Sequence, residues 1–263
     1  MNSYSMVKLG GSVITYKNQS PPKSNREIIR QIATEITHIS NPMIFVLGGG
    51  AHGHQAAHKF GYNDSSTSKS TLLSGIPLIR HNMTILSLDV ESIFNSLGIP
   101  SVVVSPFNFV MLQDGVPLSF PVDIILKILE SGCNVLIHGD VCYDLSKGSA
   151  ILSGDTIIAE ITKKLPIDSI FVGTDVDGIF IEDPKENPSA TFIPKIERFN
   201  LEQVLSMVGP SKSKDVTGGM LRKIQELVHI SKNSRTIIFN LLVPGRLKSL
   251  LSGKDTKCTI IEL

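Results

Sequence analysis

Ile44-Phe45-Val46-Leu47-Gly48-Gly49-Gly50-Ala51-His52-Gly53-His54 passes from four apolar residues into three glycines and then into a helix-compatible stretch. A strand that ends in glycines and feeds a helix makes a nest of backbone N–H groups suited to an anion. The positive end of the helix points at the same place. His54 is placed to meet a phosphate oxygen, as a ligand or in moving a proton. A flexible turn with surface histidines is the plain alternative, but three consecutive glycines are entropically costly without a use. His52 and His58 carry weaker signals, and for both a merely structural placement is favoured.

Outward from this junction the same grammar repeats. Strand-like runs fall at 5–9, 43–47, 101–105, 135–138, 169–173, 236–240 and 258–262. Helical patterns fall at 25–40, 55–60, 82–97, 121–130, 155–165, 201–207 and 220–231. Alternation of this kind predicts an α/β fold, a mostly parallel sheet with helices on both faces. Two places break the rhythm. Asp114-Gly115 predicts a hairpin within 111–118, and Lys147-Gly148 a turn within 142–152. Residues 63–70 and 183–190 read as loops. The chain reads as one domain with a soft boundary near Pro166, an acceptor-binding lobe over 1–165 and a nucleotide-binding lobe over 166–263.

The 263 residues carry 25 Lys plus Arg against 24 Asp plus Glu, with 41% apolar residues. Near neutrality gives no reason to expect a nucleic-acid or membrane-surface partner, so attraction for an anionic substrate must be local. Cys133, Cys142 and Cys258 lack metal-ligand spacing and fit reduced thiols in a cytoplasmic protein. The start of the chain reads as a strand without a signal peptide, and the apolar runs are too short to span a bilayer.

Four further segments carry chemistry. In Lys8-Leu9-Gly10-Gly11-Ser12, with Lys17 after the turn, glycines let backbone N–H groups approach a phosphate between two cations. A tight turn with solvated lysines fits this segment equally well. The segments 137–141 and 152–155 each place Gly-Asp after an apolar run. Ser153 or Asp155 fits a helix cap, and Asp155 also fits an acid that holds lysines by paired charge. Thr174-Asp175-Val176-Asp177-Gly178 follows a strand, where open α/β sheets bind ligands. Gly218-Gly219 opens a helix with Lys223 about one turn in. The set fits phosphoryl transfer, which needs positioning and charge neutralisation more than covalent chemistry.

Taken in order, these motifs resemble the amino acid kinase superfamily over about residues 6 to 240. The Gly-His end of the glycine loop and Thr217-Gly218-Gly219-Met220 look most like isopentenyl phosphate kinases. Fosfomycin kinases have a similar glycine loop ending in histidine, so a small phosphonate is the alternative acceptor. A non-catalytic nucleotide sensor fits less well with Lys17 and His54 both retained. The resemblance implies a three-layer αβα sandwich, a homodimer, and transfer of the ATP γ-phosphoryl group to isopentenyl phosphate. It implies ATP phosphates on Lys8, Gly10, Gly11 and Ser12, with Lys17 stabilising the transition state. It implies nucleotide contacts at Gly50, Asp175, Gly219 and Lys223. The acceptor phosphate would meet Gly49, His54 and Gly154, with Asp155 orienting lysines. Mg2+ would be held mainly by phosphates and water, with no protein metal ligand. The chain departs from the pattern at Leu47 (usually His), at Ala51-His52 (usually Ser-Phe) and at Tyr16 (often acidic).

Overall fold

Residues alternate sides along a strand, and here both sides are apolar, which requires a layer of helices on each face. The computed structural model describes residues 3–207, 219–231 and 234–263, with side chains throughout these except at 219–223. The chain runs β1 (Tyr4–Leu9), α1 (Gly11–Ile14), α2 (Arg26–Ile36), β2 (Ile44–Leu47), α3 (Gly50–Lys59), α4 (Lys69–Ser96) and β3 (Ser101–Val104). It continues through β4 (Met111–Gln113), β5 (Val116–Ser119), α5 (Asp123–Glu130), β6 (Asn134–His138), β7 (Asp140–Asp144), β8 (Gly148–Leu152) and α6 (Gly154–Thr162). Then come β9 (Ile167–Thr174), β10 (Ile179–Phe180), β11 (Phe192–Ile193), β12 (Lys195–Glu197) and α7 (Leu201–Met207). It closes with α8 (Gly219–Ile230), β13 (Arg235–Asn240), α9 (Arg246–Leu251) and β14 (Cys258–Glu262).

Among the described residues, eight strands form the central sheet in the order β12-β14-β13-β9-β1-β2-β6-β3, and of its pairs only β13–β14 is antiparallel. One face packs Met6, Ile44, Val46 and Ile170 against Ile125 of α5, Ile157, Ile158 and Ile161 of α6, and Ile224 and Leu227 of α8. The other packs Val7, Leu9, Phe45 and Phe171 against α1 to α4 and α9. In α2 the buried residues Ile29, Ile32, Ala33 and Ile36 follow the helical period, and Asn25 caps the start by accepting from Ile28 N. The three-layer αβα architecture is as the motifs implied.

Several expectations are corrected in detail. The helix expected over 82–97 starts at Lys69 and carries Pro77 inside it; Ser68 caps it by accepting from Thr71 N. The loop expected over 63–70 therefore ends at Ser68, its last two residues already belonging to the helix. The hairpins are present, with Asp114 and Gly115 both at positive φ (54° and 83°), as a tight two-residue turn requires. Among the described residues no helix is long and apolar enough to cross a membrane, and the three cysteines are free thiols.

Candidate active site

Parallel register brings the strand ends together. Leu9 pairs with Leu47 and Gly173, Leu47 with His138, and Thr174 with Asn240. The glycine loops after β1 and β2, the β6–β7 turn and the loop after β9 thus share one edge of the sheet. Hydrogen bonds continue the ladder past the strands, from Gly10 N to Gly173 O (3.0 Å), Gly48 N to Leu9 O (2.9 Å) and Gly139 N to Leu47 O (3.0 Å).

The glycines divide into two groups. A Cβ on Gly11 would stand 2.3 Å from Gly50 N, one on Gly48 would stand 2.6 Å from Gly11 N, and one on Gly10 would stand 2.5 Å from Gly173 O. These residues let two loops touch backbone to backbone. Gly50 adds a positive φ of 48°. By contrast a Cβ on Gly49 meets nothing closer than Gly53 Cα at 3.4 Å, and Gly49 is only half-buried. Its backbone is open to a ligand. Thr15, which sequence reasoning missed, ties the loops together. Its hydroxyl donates to Gly11 O (2.7 Å) and accepts from Ala51 N (3.0 Å).

Lys8 shares a sheet face with Met6, the face covered by α6. Its Nζ lies 2.6 Å from both carboxylate oxygens of Asp155 in the first turn of that helix. Ser153 is the cap, accepting from Thr156 N at 3.0 Å. The cap alternatives are thereby resolved, and the Asp155 carboxylate is available to Lys8. Gly154 is buried beside them, and a Cβ there would stand 3.9 Å from Lys8 Cε.

Lys17 is exposed and lies 3.5 Å from Asp175, not beside Asp155. Lys185, also missed in sequence, lies 2.5 Å from the same Asp175 oxygen. Burial alone would raise the Asp175 pKa, but Lys185 and Lys17 overcome it and bring it down to about 2. Asp177 pairs with Arg246 (2.6 Å) and Lys257 (2.9 Å). Ser12 lies half-buried in α1, and Gly219 begins α8. The Lys223 side chain lies outside the described residues.

His54 stands exposed on α3, and partial burial lowers its pKa by desolvation. The neutral form is therefore the resting one near pH 7. His52 is not a surface residue. It is 1% exposed, neither ring nitrogen has a hydrogen-bond partner among the described residues, and burial lowers its pKa against the pull of Asp89. His58 is exposed. Among the described residues no group of three or more His, Cys, Asp or Glu is arranged to hold a metal ion.

The sequence pattern of the amino acid kinase family matches residues 5–240. An isopentenyl phosphate kinase from Methanothermobacter thermautotrophicus is 31% identical, over 97% of this chain and 98% of its own. One from Methanocaldococcus jannaschii is 32% identical over 89% and 90%. Among solved structures, an isopentenyl phosphate kinase superposes with a TM-score of 0.84 at 28% identity, covering 98% of this chain and 99% of that one. A UMP kinase from Ureaplasma parvum, at 21% identity and a TM-score of 0.65, shares the fold.

Proposed function

The chain belongs to the amino acid kinase family, and we infer that it transfers the γ-phosphoryl group of ATP to isopentenyl phosphate, giving isopentenyl diphosphate and ADP. The observation that carries this reading is the meeting of two phosphate cradles at one sheet edge. The Gly10–Ser12 turn touches the Gly48–Gly50 turn through backbone atoms, with Lys8 and Gly154 beside them. Two phosphates held in adjacent cradles are what an in-line transfer between them requires.

Lys8 and the N–H groups of Gly11 and Ser12 take the ATP phosphates, while Gly10, its own N–H bonded to Gly173 O, shapes their turn; Gly50, Asp175, Gly219 and Lys223 complete the nucleotide side. The acceptor phosphate rests on Gly49 N–H, Gly154 N–H and His54. An acceptor oxygen attacks the γ-phosphorus as the bond to the ADP oxygen breaks. Lys17 leaves Asp175 to meet the charge on the transferring group, and Asp155 keeps Lys8 in place. Mg2+ supplies further charge neutralisation when bound with ATP, held mainly by phosphates and water. Residues 1–165 form the acceptor-binding lobe and 166–263 the nucleotide-binding lobe.

The enzyme works in the cytoplasm as a homodimer. Ile85 and Leu88, one turn apart on α4 and 42% and 51% exposed, offer an apolar surface for the second copy. Light scattering of wild type and of Leu88→Glu tests this; a monomeric wild type overturns it. The activity is tested by ATP turnover with isopentenyl phosphate, isopentenol, glutamate and fosfomycin. Isopentenyl phosphate is expected to give the highest kcat/KM. Faster turnover of fosfomycin would reassign the acceptor, and ATP binding without turnover of any acceptor would make the chain a sensor.

A further inference from the structure

The motif at 138–140 has no part in the transfer described above, yet it builds a buried charged cluster under the acceptor side. His138 ends β6 and Asp140 begins β7, so the chain turns between two sheets within the single residue Gly139. Gly139 is fixed on one side by its N–H bond to Leu47 O, directly before the triple-glycine loop. On the other side a Cβ at Gly139 would stand 3.4 Å from Gly154 N. Both acceptor-side donors thus depend on where this turn sits.

Asp140 holds the turn. Its Oδ1 accepts from Val141 N at 2.9 Å. Its Oδ2 takes the Arg80 guanidinium and the Ser105 hydroxyl (3.2 Å), and His138 Nδ1 lies 3.6 Å away. The Asp140 side chain is fully buried. Arg80 is stacked over the Phe107 ring at 5.0 Å and comes from α4. Three residues on, Met83 of the same helix lies at the glycine loop, 3.8 Å from the Cβ position of Gly49 and 3.3 Å from that of Gly53. One helix therefore touches both walls of the acceptor cradle, through Met83 on the loop and Arg80 on the turn.

We propose that Arg80 and Asp140 are positioning residues for the acceptor phosphate, fixing the spacing between the Gly49 and Gly154 N–H groups. The proposal rests on the acceptor cradle assigned above, but not on which phosphate or phosphonate fills it. A buried ion pair is poor at stabilising a fold compared with apolar residues of similar volume, and its geometric precision is what it adds. Misplacing a donor by about 1 Å costs a transfer reaction up to about a hundredfold.

The test compares wild type with Asp140→Asn, Arg80→Lys, Arg80→Met and the double variant Arg80→Met/Asp140→Leu. Kinetics use whichever acceptor the wild type turns over fastest, so a mistaken acceptor identity shows in the wild type alone. Amide hydrogen exchange at Gly139 and Gly154 is read without any acceptor. Asp140→Asn and Arg80→Met should lower acceptor kcat/KM by about tenfold to a hundredfold, leave the KM for ATP within about twofold, and speed exchange at both amides. Arg80→Lys, which keeps the charge without the fork, should fall between. The double variant should regain melting temperature while acceptor kcat/KM stays low. Recovery of both together would reduce the pair to a structural role. Parallel rises in KM for ATP and acceptor, or wild-type acceptor kinetics with unchanged exchange in Asp140→Asn, would overturn the proposal. Should the single variants fail to fold, the double variant decides.

Discussion

Both carboxylate oxygens of Asp155 lie 2.6 Å from Lys8 Nζ, across the gap between β1 and α6. The two side chains are 16% and 28% exposed, so the pair is only partly screened by solvent. A cation already held in place does not have to be organised when phosphates arrive. Removing Asp155 should therefore hurt the same step that removing Lys8 hurts. In a cycle of Lys8→Ala, Asp155→Ala and the double variant, the losses in kcat/KM should be non-additive, with a coupling of about 0.5–3 kcal/mol. Strict additivity would mean that Asp155 serves something other than Lys8.

Lys17 should matter for turnover more than for ATP affinity. It is 61% exposed and only 3.5 Å from Asp175, a loose pairing that a transferring phosphoryl group can displace. Lys17→Ala should lower kcat by about 10²–10³. An unchanged kcat with a raised KM for ATP would contradict this role. The pairing also has a signature in acid. The folded pKa of Asp175 is depressed from 3.8 to about 2 by Lys185 and Lys17. Its contribution to stability is present above the unfolded value and is lost as pH falls through the folded one. Asp175→Asn should therefore flatten the stability curve between about pH 4 and 2. An unaltered acid limb would show that the pairing adds nothing.

Gly49 and Gly50 should respond oppositely to a methyl group. At Gly50 a Cβ would stand 2.3 Å from Thr15 Oγ1 and 2.6 Å from Gly11 O, at a φ of 48°. Gly50→Ala should lower melting temperature and all activities together. Gly49→Ala has room in the fold, so it should keep the melting temperature while raising the acceptor KM. A Gly49→Ala protein with wild-type acceptor kinetics would place the acceptor phosphate elsewhere.

His52 is an opportunity to stabilise the protein. Its ring is buried with both nitrogens unpartnered among the described residues, and a buried unsatisfied polar group costs about 1–3 kcal/mol. His52→Phe should raise the melting temperature, most clearly in acid. Burial lowers the folded pKa of His52, so below about pH 6.5 the unfolded chain binds a proton that the folded one refuses. Stability must then decline as pH drops through that range, and His52→Phe should weaken the decline. Equal melting temperatures at pH 5 and 7 for both proteins would show that the ring finds a partner in solution.

Seven of the eight central strands were legible as short apolar runs, each present within two residues at each end, whereas the three-residue edge strand β12 was not. Helix lengths were less so. The first half of α4 holds Pro77 and Gly75 in a weakly amphipathic stretch, and only packing against α3 and β8 reveals it as helix. The glycine loops could be found from sequence, but not their division of labour. That Gly11 and Gly50 touch each other while Gly49 stays open depends on register between β1 and β2, which no local pattern encodes. Thr15, Arg80 and Lys185 were missed for the same reason, since their partners lie 36, 60 and 10 positions away. A single threonine or arginine carries no periodic signal.

His54 offers the sharpest test of the acceptor side. It stands on α3, the helix that begins at Gly50, and desolvation lowers its pKa. The ring meets solvent, so the shift is partial, and a bound phosphate pulls it back up. In the free enzyme at pH 7 the neutral ring donates one N–H. His54→Gln keeps a neutral donor and should retain part of the activity. His54→Ala removes it and should lower acceptor kcat/KM by about tenfold to a hundredfold, the worth of a hydrogen bond to a charged group, with ATP binding little changed. The pH dependence should separate the two roles open to the ring. If only the neutral donor matters, kcat/KM in wild type rises as pH climbs through the free-enzyme pKa, and the Gln variant loses that rise. If the imidazolium binds the phosphate, acceptor affinity instead improves as pH falls, and Gln abolishes that improvement. An Ala variant with wild-type acceptor kinetics would exclude His54 from the site, and one crippled only in ATP binding would move it to the other substrate.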